Sequence, residues 1–258
     1  MNKKLAIVAA ISLCISNFAF AGCNAAEDPC APKKKLNSWD KSLAAGFNLT
    51  SGNTETTLLN LAFAAKKEDS DGNIFDSSAA FNYGTDDSAK DANGDNVTRN
   101  DVRGFARYDY LLSDDWYLGF GSSFLNDDLA DIDYRITLDP SPGVYLLKND
   151  DYKFRVEAGP SYLFEKVGGE TDSYLAPRVA EKFDWIISCT SKFYEKAEVL
   201  FDVNNSDNYI VNAEAGIEAA LSTDLALVFA VRNVYDNVPA PDREKNDLQT
   251  ITSIKVSL

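Results

Sequence analysis

Arginines and carboxylates recur at every second residue along this chain, interleaved with apolar neighbours. Arg103, Arg107 and Asp109 share one parity, as do Arg135 with Asp139 and Lys153 with Arg155 and Glu157. Arg178, Lys182 and Asp184 continue the pattern, followed by Glu198 with Asp202, Asn212 with Glu214 and Glu218, then Arg232 and Lys255. Residues two apart lie on one face of a strand, so each group is a polar face backed by an apolar one. A face of mixed charge that turns inward can line a hydrated passage selecting small solutes or ions. It can equally pair across a narrow interior and fill it. The residues alone leave both readings open.

Other chemistry is less well supplied. The chain has 40 Asp and Glu against 25 Lys and Arg, a net charge of −15, and no histidine. Such a charge repels phosphate backbones, so no nucleic-acid partner is expected. Without histidine, the usual base for a serine or cysteine nucleophile and the commonest zinc ligand are missing. An enzyme acting at a membrane interface is therefore disfavoured, and no catalytic residue, metal or cofactor is assigned. Oxygen-rich loops stand at Asp69, Asp71 and Asn73 and at Asp86, Asp87, Asp91, Asn93 and Asp95. They have the donors that calcium takes. The same residues are ordinary hairpin chemistry, and the first group lacks the spacing of an EF-hand loop, so both are read as turns.

The elements that must position these charges are long strands. Residues 191–221 show this most clearly. Phe193, Ala197, Val199, Phe201 and Val203 oppose Tyr194, Lys196, Glu198, Leu200 and Asp202, with Glu195 the lone interruption of the apolar face. The spacing predicts about twelve strands, near 39–49, 55–67, 73–84, 96–111, 115–126, 133–147, 151–165, 172–187, 191–203, 207–221, 224–236 and 246–258. Apolar faces include Leu43, Ala45, Phe47, Leu49; Leu59, Leu61, Phe63; Trp116, Leu118, Phe120, Phe124; Phe154, Val156, Ala158, Tyr162; Leu225, Leu227, Phe229, Val231; and Ile254, Val256, Leu258. Glu181 is the weak point of the eighth strand, sharing a face with Leu175, Val179, Phe183 and Trp185.

Connections alternate between tight turns and mostly longer, acidic or Gly/Pro-bearing loops, as in a barrel with short turns on its periplasmic side. Trp39, Trp116 and Trp185 all fall at the short-turn ends, with Tyr110, Tyr117, Tyr152 and Tyr194. Tyr83, Phe124, Tyr134, Phe164, Tyr174, Tyr209 and Tyr235 fall at the other. Two aromatic girdles are expected. The fold class is thus all-β: a closed antiparallel transmembrane β-barrel of about 12 strands in an up-and-down meander.

Residues 1–21 have a basic start, an apolar stretch and Ala19-Phe20-Ala21 as a cleavage site, which is an export signal. Gly22-Cys23 offers a competing lipoprotein site. Residues 22–38 form a polar periplasmic segment in which Cys23 and Cys30 suit a small disulfide loop in an oxidising compartment. Cys189 is read as incidental. Residues 39–258 form the barrel.

Several stretches resemble one family. They are Ser51-Gly52-Asn53-Thr54-Glu55-Thr56, Ile132-Asp133-Tyr134-Arg135, Glu157-Ala158-Gly159-Pro160-Ser161-Tyr162, Glu181-Lys182-Phe183-Asp184-Trp185, and Tyr235-Asp236-Asn237 with Lys245 and Asp247. Together they are similar to the salt-induced outer-membrane proteins, the domain of unknown function 481. The resemblance implies an integral barrel in the outer membrane of a Gram-negative-type bacterium and supplies no chemistry. Its partners would be outer-membrane lipid and the barrel assembly machinery. Asp139-Pro140-Ser141-Pro142-Gly143 departs from the family's glycine-richer pattern and predicts a bend, since proline breaks the ladder. The expected function is non-enzymatic: a narrow pore for small solutes or ions, or a structural barrel linked to salt or osmotic stress by the family's name alone. A surface receptor or adhesin using the acidic loops is the alternative.

Overall fold

The computed structural model describes residues 36–50, 56–86, 96–241 and 243–258. The export signal, Cys23 and Cys30, the motif at residues 51–55, and the loop holding Asp87, Asp91, Asn93 and Asp95 lie outside the described residues. Among the described residues the strands are β1 (Trp39–Thr50), β2 (Thr56–Glu68), β3 (Ile74–Asp86), β4 (Val97–Leu111), β5 (Trp116–Asp127), β6 (Ile132–Lys148), β7 (Tyr152–Val167), β8 (Glu170–Ser188), β9 (Ser191–Phe201), β10 (Tyr209–Ala220), β11 (Leu225–Asp236) and β12 (Asn246–Ser257). Each pairs antiparallel with its sequence neighbours, and β1 meets β12 to close the barrel. Closure leaves no free edge, so backbone groups can be satisfied inside a bilayer.

The period-two pattern explains which face goes where. Leu43, Phe47, Leu61, Phe63, Phe120, Leu227, Phe229 and Ile254 are exposed on the outside. In water such a surface would aggregate; against lipid tails it is at home. Trp39 and Trp116 are exposed at the short-turn end, and Trp185 stacks on Tyr152 at 6.0 Å. At the other end Tyr209 stacks on Tyr235 at 5.8 Å. Three residues expected in the girdles are inside instead. Tyr117 is buried, Tyr194 lies over Gly216, and Tyr174 packs with Leu163, Ala176, Leu200 and Ile210. The reason is parity: Tyr117 shares a face with Gly119 and Gly121, not with Trp116 and Leu118.

The contrast between the two ends is weaker than expected. The β7–β8 connection, expected among the longer loops, is the two-residue turn Gly168-Gly169, with φ of 59° and 80°. Two consecutive positive φ values suit the tightest hairpin, and glycine adopts them without strain. The longer β11–β12 connection folds back over this turn, burying Ala240.

Two seams are incompletely bonded. β1 and β12 pair only through Ser42–Ala45 against Ile254–Ser257. β6 and β7 lose their ladder between Leu138↔Tyr162 and Gly143↔Glu157 and then regain it in the same register. The second interruption falls at the prolines that predicted a bend.

Candidate functional site

The barrel wall is one layer thick, so a buried side chain on it must face the interior. On β4, buried Asp101, Arg107 and Asp109 alternate with exposed Val102, Tyr108 and Tyr110. The same alternation turns Arg135 and Asp139 on β6 and Glu157 on β7 inward.

Towards the short-turn end these charges form one network. Arg107 binds Asp109 and reaches past two strands to Glu157, while Arg155 binds Asp109 from the opposite direction at 2.7 Å. Arg178 joins Glu198 at 2.7 Å and Glu157 at 3.3 Å, and the Asn212 side chain donates to Glu198 at 2.9 Å. Asp139 stands 3.8 Å from both Arg107 and Arg178. The Tyr117 ring lies 5.9 Å from the Arg107 guanidinium carbon and 5.5 Å from that of Arg155, within cation–π range. Glycine makes this possible. A Cβ on Gly119 would fall 1.8 Å from Arg107 Nη2, and one on Gly143 would fall 2.2 Å from the Tyr117 ring.

Towards the long-loop end the pairs cross the lumen. Arg99 and Arg103 both bind Asp101, and Arg99 also reaches Asp247 on β12 at 3.0 Å. Beside them Asn82 donates to Asp101 at 2.7 Å and accepts from Asn60 and from Gln249. Arg135 binds Glu165 on β7 and, at 2.9 Å, Asp236 on β11. Both layers are largely dry, so unpaired members would be costly and every carboxylate present has a cation beside it.

The remaining wall is more open. Arg232 binds Glu214 at 2.7 Å, with Lys196 at 3.5 Å, and Lys255 binds Glu218 at 2.6 Å. The inward-facing Lys196 side chain is nevertheless 55% exposed, so water reaches it inside the barrel. A cavity of ≈ 130 Å³ opens at the short-turn end, lined by Lys66, Asp76, Asp109, Arg155, Lys182 and Asp184 among others.

Of the charges singled out by spacing, Arg107, Asp139, Arg155, Glu157, Arg178 and Glu198 thus come together. Arg103, Arg135, Glu214, Glu218 and Arg232 belong to separate clusters. Asp202 lies just beyond β9, where its carboxylate accepts the Asn204 N–H at 2.8 Å and shapes the β9–β10 turn. Spacing did not single out Asp101, Glu165, Asp236 and Asp247. Asp101 shares the parity of Arg103 and could have been found; Asp236 and Asp247 sit at strand ends and meet their partners only through barrel closure. At the other oxygen-rich turn, Asp69 accepts the N–H of Asp71 and Asn73, each at 2.9 Å. Its carboxylate is occupied by its own hairpin. No group of three or more ligating side chains suited to a metal occurs among the described residues.

A closed antiparallel barrel with an apolar outside and a charged, partly hydrated inside is the construction of a transmembrane β-barrel. The family described as "Protein of unknown function, DUF481" matches residues 43–258, and the chain belongs to it. Among solved structures, the NanC porin is 11% identical, with a TM-score of 0.47 over 84% of this chain and 97% of its own. The translocator domain of the autotransporter NalP from Neisseria meningitidis is 13% identical, with a TM-score of 0.47 over 85% of this chain and 86% of its own. The KdgM porin is 10% identical, with a TM-score of 0.42 over 85% and 96%. No curated protein matches the sequence.

Proposed function

We propose that this chain is a narrow outer-membrane pore for small ions and solutes, constricted near its long-loop end by the Arg99–Asp247 and Arg135–Asp236 pairs. The observation that carries this reading is the uneven filling of the interior. Lys196 is solvated inside the barrel and a ≈ 130 Å³ cavity opens at one end, while cross-lumen pairs occupy the other. A structural barrel has no need of a hydrated interior beside its plug. Fixed charges of both signs in a constriction select by size and hydration more than by the sign of the solute. The sequence contains no histidine, and the inward hydroxyls of Ser141 and Ser161 are hydrogen-bonded to no base among the described residues, which supports transport over catalysis.

Single-channel conductance of the refolded mature chain in a planar bilayer tests this. The expected result is small discrete current steps that grow when Arg99 or Arg135 is replaced by alanine. A folded barrel that never conducts, with or without those replacements, would end the pore reading.

A further inference from the structure

Between β6 and β7 the wall keeps its register but loses its ladder pairing. Residues 139–142 and 158–161 face one another without a ladder. On their far sides the same residues remain paired, Pro140 with Phe120 and Pro142 with Leu118 on β5, and Pro160 with Pro177 on β8. The preserved register sets Pro140 directly opposite Pro160. Proline has no N–H to donate, so neither member of that pair can contribute a ladder bond. The sequence therefore builds an unbonded seam halfway along both strands.

Behind the seam lie buried polar groups without hydrogen-bond partners. Ser141 and Ser161 are fully buried, and their Oγ atoms have no hydrogen-bond partner among the described residues. The Tyr117 hydroxyl likewise has none, and Arg178 Nη1 has no hydrogen bond although Glu157 Oε1 stands 3.3 Å from it. Arg178 stands opposite Gly159, in the row that contains Ser141. Buried polar atoms without partners are uncommon and each calls for a reason. What these groups lack in common is an acceptor. Neither neighbouring carboxylate supplies it to Arg178 Nη1: Asp139 at 3.8 Å is beyond hydrogen-bond reach, and Glu157 Oε1 at 3.3 Å makes an ion-pair contact without hydrogen-bond alignment. In front of the seam the surface is apolar, with Phe120, Leu138 and Tyr162 exposed.

We propose that the β6–β7 seam is a lateral portal through which a single-chain amphiphile with a carboxylate head enters the barrel wall from the bilayer. The head binds the Ser141 and Ser161 hydroxyls and Arg178 Nη1, and the chain lies outside along Leu138, Tyr162 and Phe120. The structure shows the portal shut. A Cβ on Gly159 would come 2.4 Å from the Pro140 carbonyl oxygen, so it is the glycine that lets β6 rest against β7. Over four residues of each strand the ladder pairing that opening would have to break is already missing. The other incomplete seam, β1–β12, has no proline, and its unpartnered buried atom, Gln249 Oε1, is an acceptor that would not hold a carboxylate. This route runs through the wall and is independent of the axial pore.

The test uses the refolded mature chain in phosphatidylcholine vesicles with stearate carrying a nitroxide close to its carboxylate. The native chain should give a motionally restricted spectral component that palmitate displaces and hexadecanol does not. Locking the seam by a Pro142→Cys/Ala158→Cys disulfide should remove that component, and reduction should restore it. Pro140→Val with Pro160→Val, which supplies the missing donors, should weaken it without a cross-link. A Phe47→Cys/Thr252→Cys lock across β1–β12 should leave it unchanged. The proposal is overturned if the native chain shows no restricted component, if the component survives the β6–β7 lock, or if both locks remove it equally. Conductance recorded on the same preparations reads the axial pore separately, so either reading can fail alone.

Discussion

Arg135 on β6 and Asp236 on β11 meet at 2.9 Å although five strand-to-strand steps separate them around the barrel. The contact is possible only where opposite walls approach, so it marks the constriction more directly than any pair on neighbouring strands. Glu165 completes the cluster on the near wall, and all three side chains are largely buried.

Removing the arginine should therefore have two separable effects. Arg135→Ala leaves two buried carboxylates unpaired and should cost about 3–5 kcal/mol of stability by urea unfolding. It should also enlarge the conductance step. Adding Glu165→Gln and Asp236→Asn should restore most of the stability while the passage stays wide. A triple variant that is stable and conducts like the native chain would show that this bridge does not limit the pore.

Two carboxylates face the wrong way for an apolar exterior. Glu181 pairs with Val156 and Ala197, and Glu195 with Phe183 and Ala215, all in outward parity. A charge against lipid is destabilising in proportion to its depth, and less so for acids than for bases. Replacing Glu195 with leucine should raise stability in vesicles by roughly 1–2 kcal/mol. No gain, or a loss, would mean that the carboxylate has a partner or a water-filled surrounding that the apolar face conceals.

Most of the wall was legible in the sequence because a strand's period of two sorts lipid from lumen one residue at a time. The strands from Trp39 to Ser257 follow the apolar alternation closely, and the prolines of β6 announced a break where the ladder fails. Tyr117, Tyr174 and Tyr194 stand at girdle height yet face inward, because parity, not height along the strand, decides which side of the wall a ring takes. The cross-lumen partners Asp236 and Asp247 were illegible for a deeper reason. Which residues face each other across a barrel depends on strand tilt and stagger, and no local pattern fixes those. The association with salt has no counterpart in any of these residues.

The β2–β3 turn offers a pH-dependent readout outside the membrane. The side-chain amide of Asn73 donates to the Asp69 carboxylate at 2.9 Å, joined by backbone N–H groups of Asn73, Asp71 and Gly72, and together they hold the Asp69 pKa below its ordinary value. A carboxylate whose pKa is lowered by folding stabilises the folded turn above the unfolded value of about 3.9. That contribution is lost as pH falls through the lower folded value. A carboxyl carbon titration by NMR should place Asp69 below the other turn aspartates, and Asn73→Ala should move it back up. Titration at the ordinary value in both proteins would refute the assignment.

The last prediction concerns how the barrel shuts. β1 and β12 share only the pairs from Ser42↔Ser257 to Ala45↔Ile254, and just beyond them a Cβ on Gly46 would lie 2.3 Å from the Thr252 carbonyl oxygen. The obstacle is backbone, so no side chain can swing aside to admit a methyl group. Gly46→Ala should push the two strands apart at the shortest seam in the wall, at a cost of about 1–3 kcal/mol typical of overpacking. Gly104→Ala is the matched control, because its Cβ would meet only Phe124 Cβ at 3.7 Å, an ordinary contact. Heat-modifiable gel migration should show the Gly46 variant converting to the unfolded form at a lower temperature than the native chain, with the Gly104 variant unchanged. Equal behaviour of the two variants would mean that closure depends on contacts elsewhere along β1 and β12, and not on the close approach at Gly46.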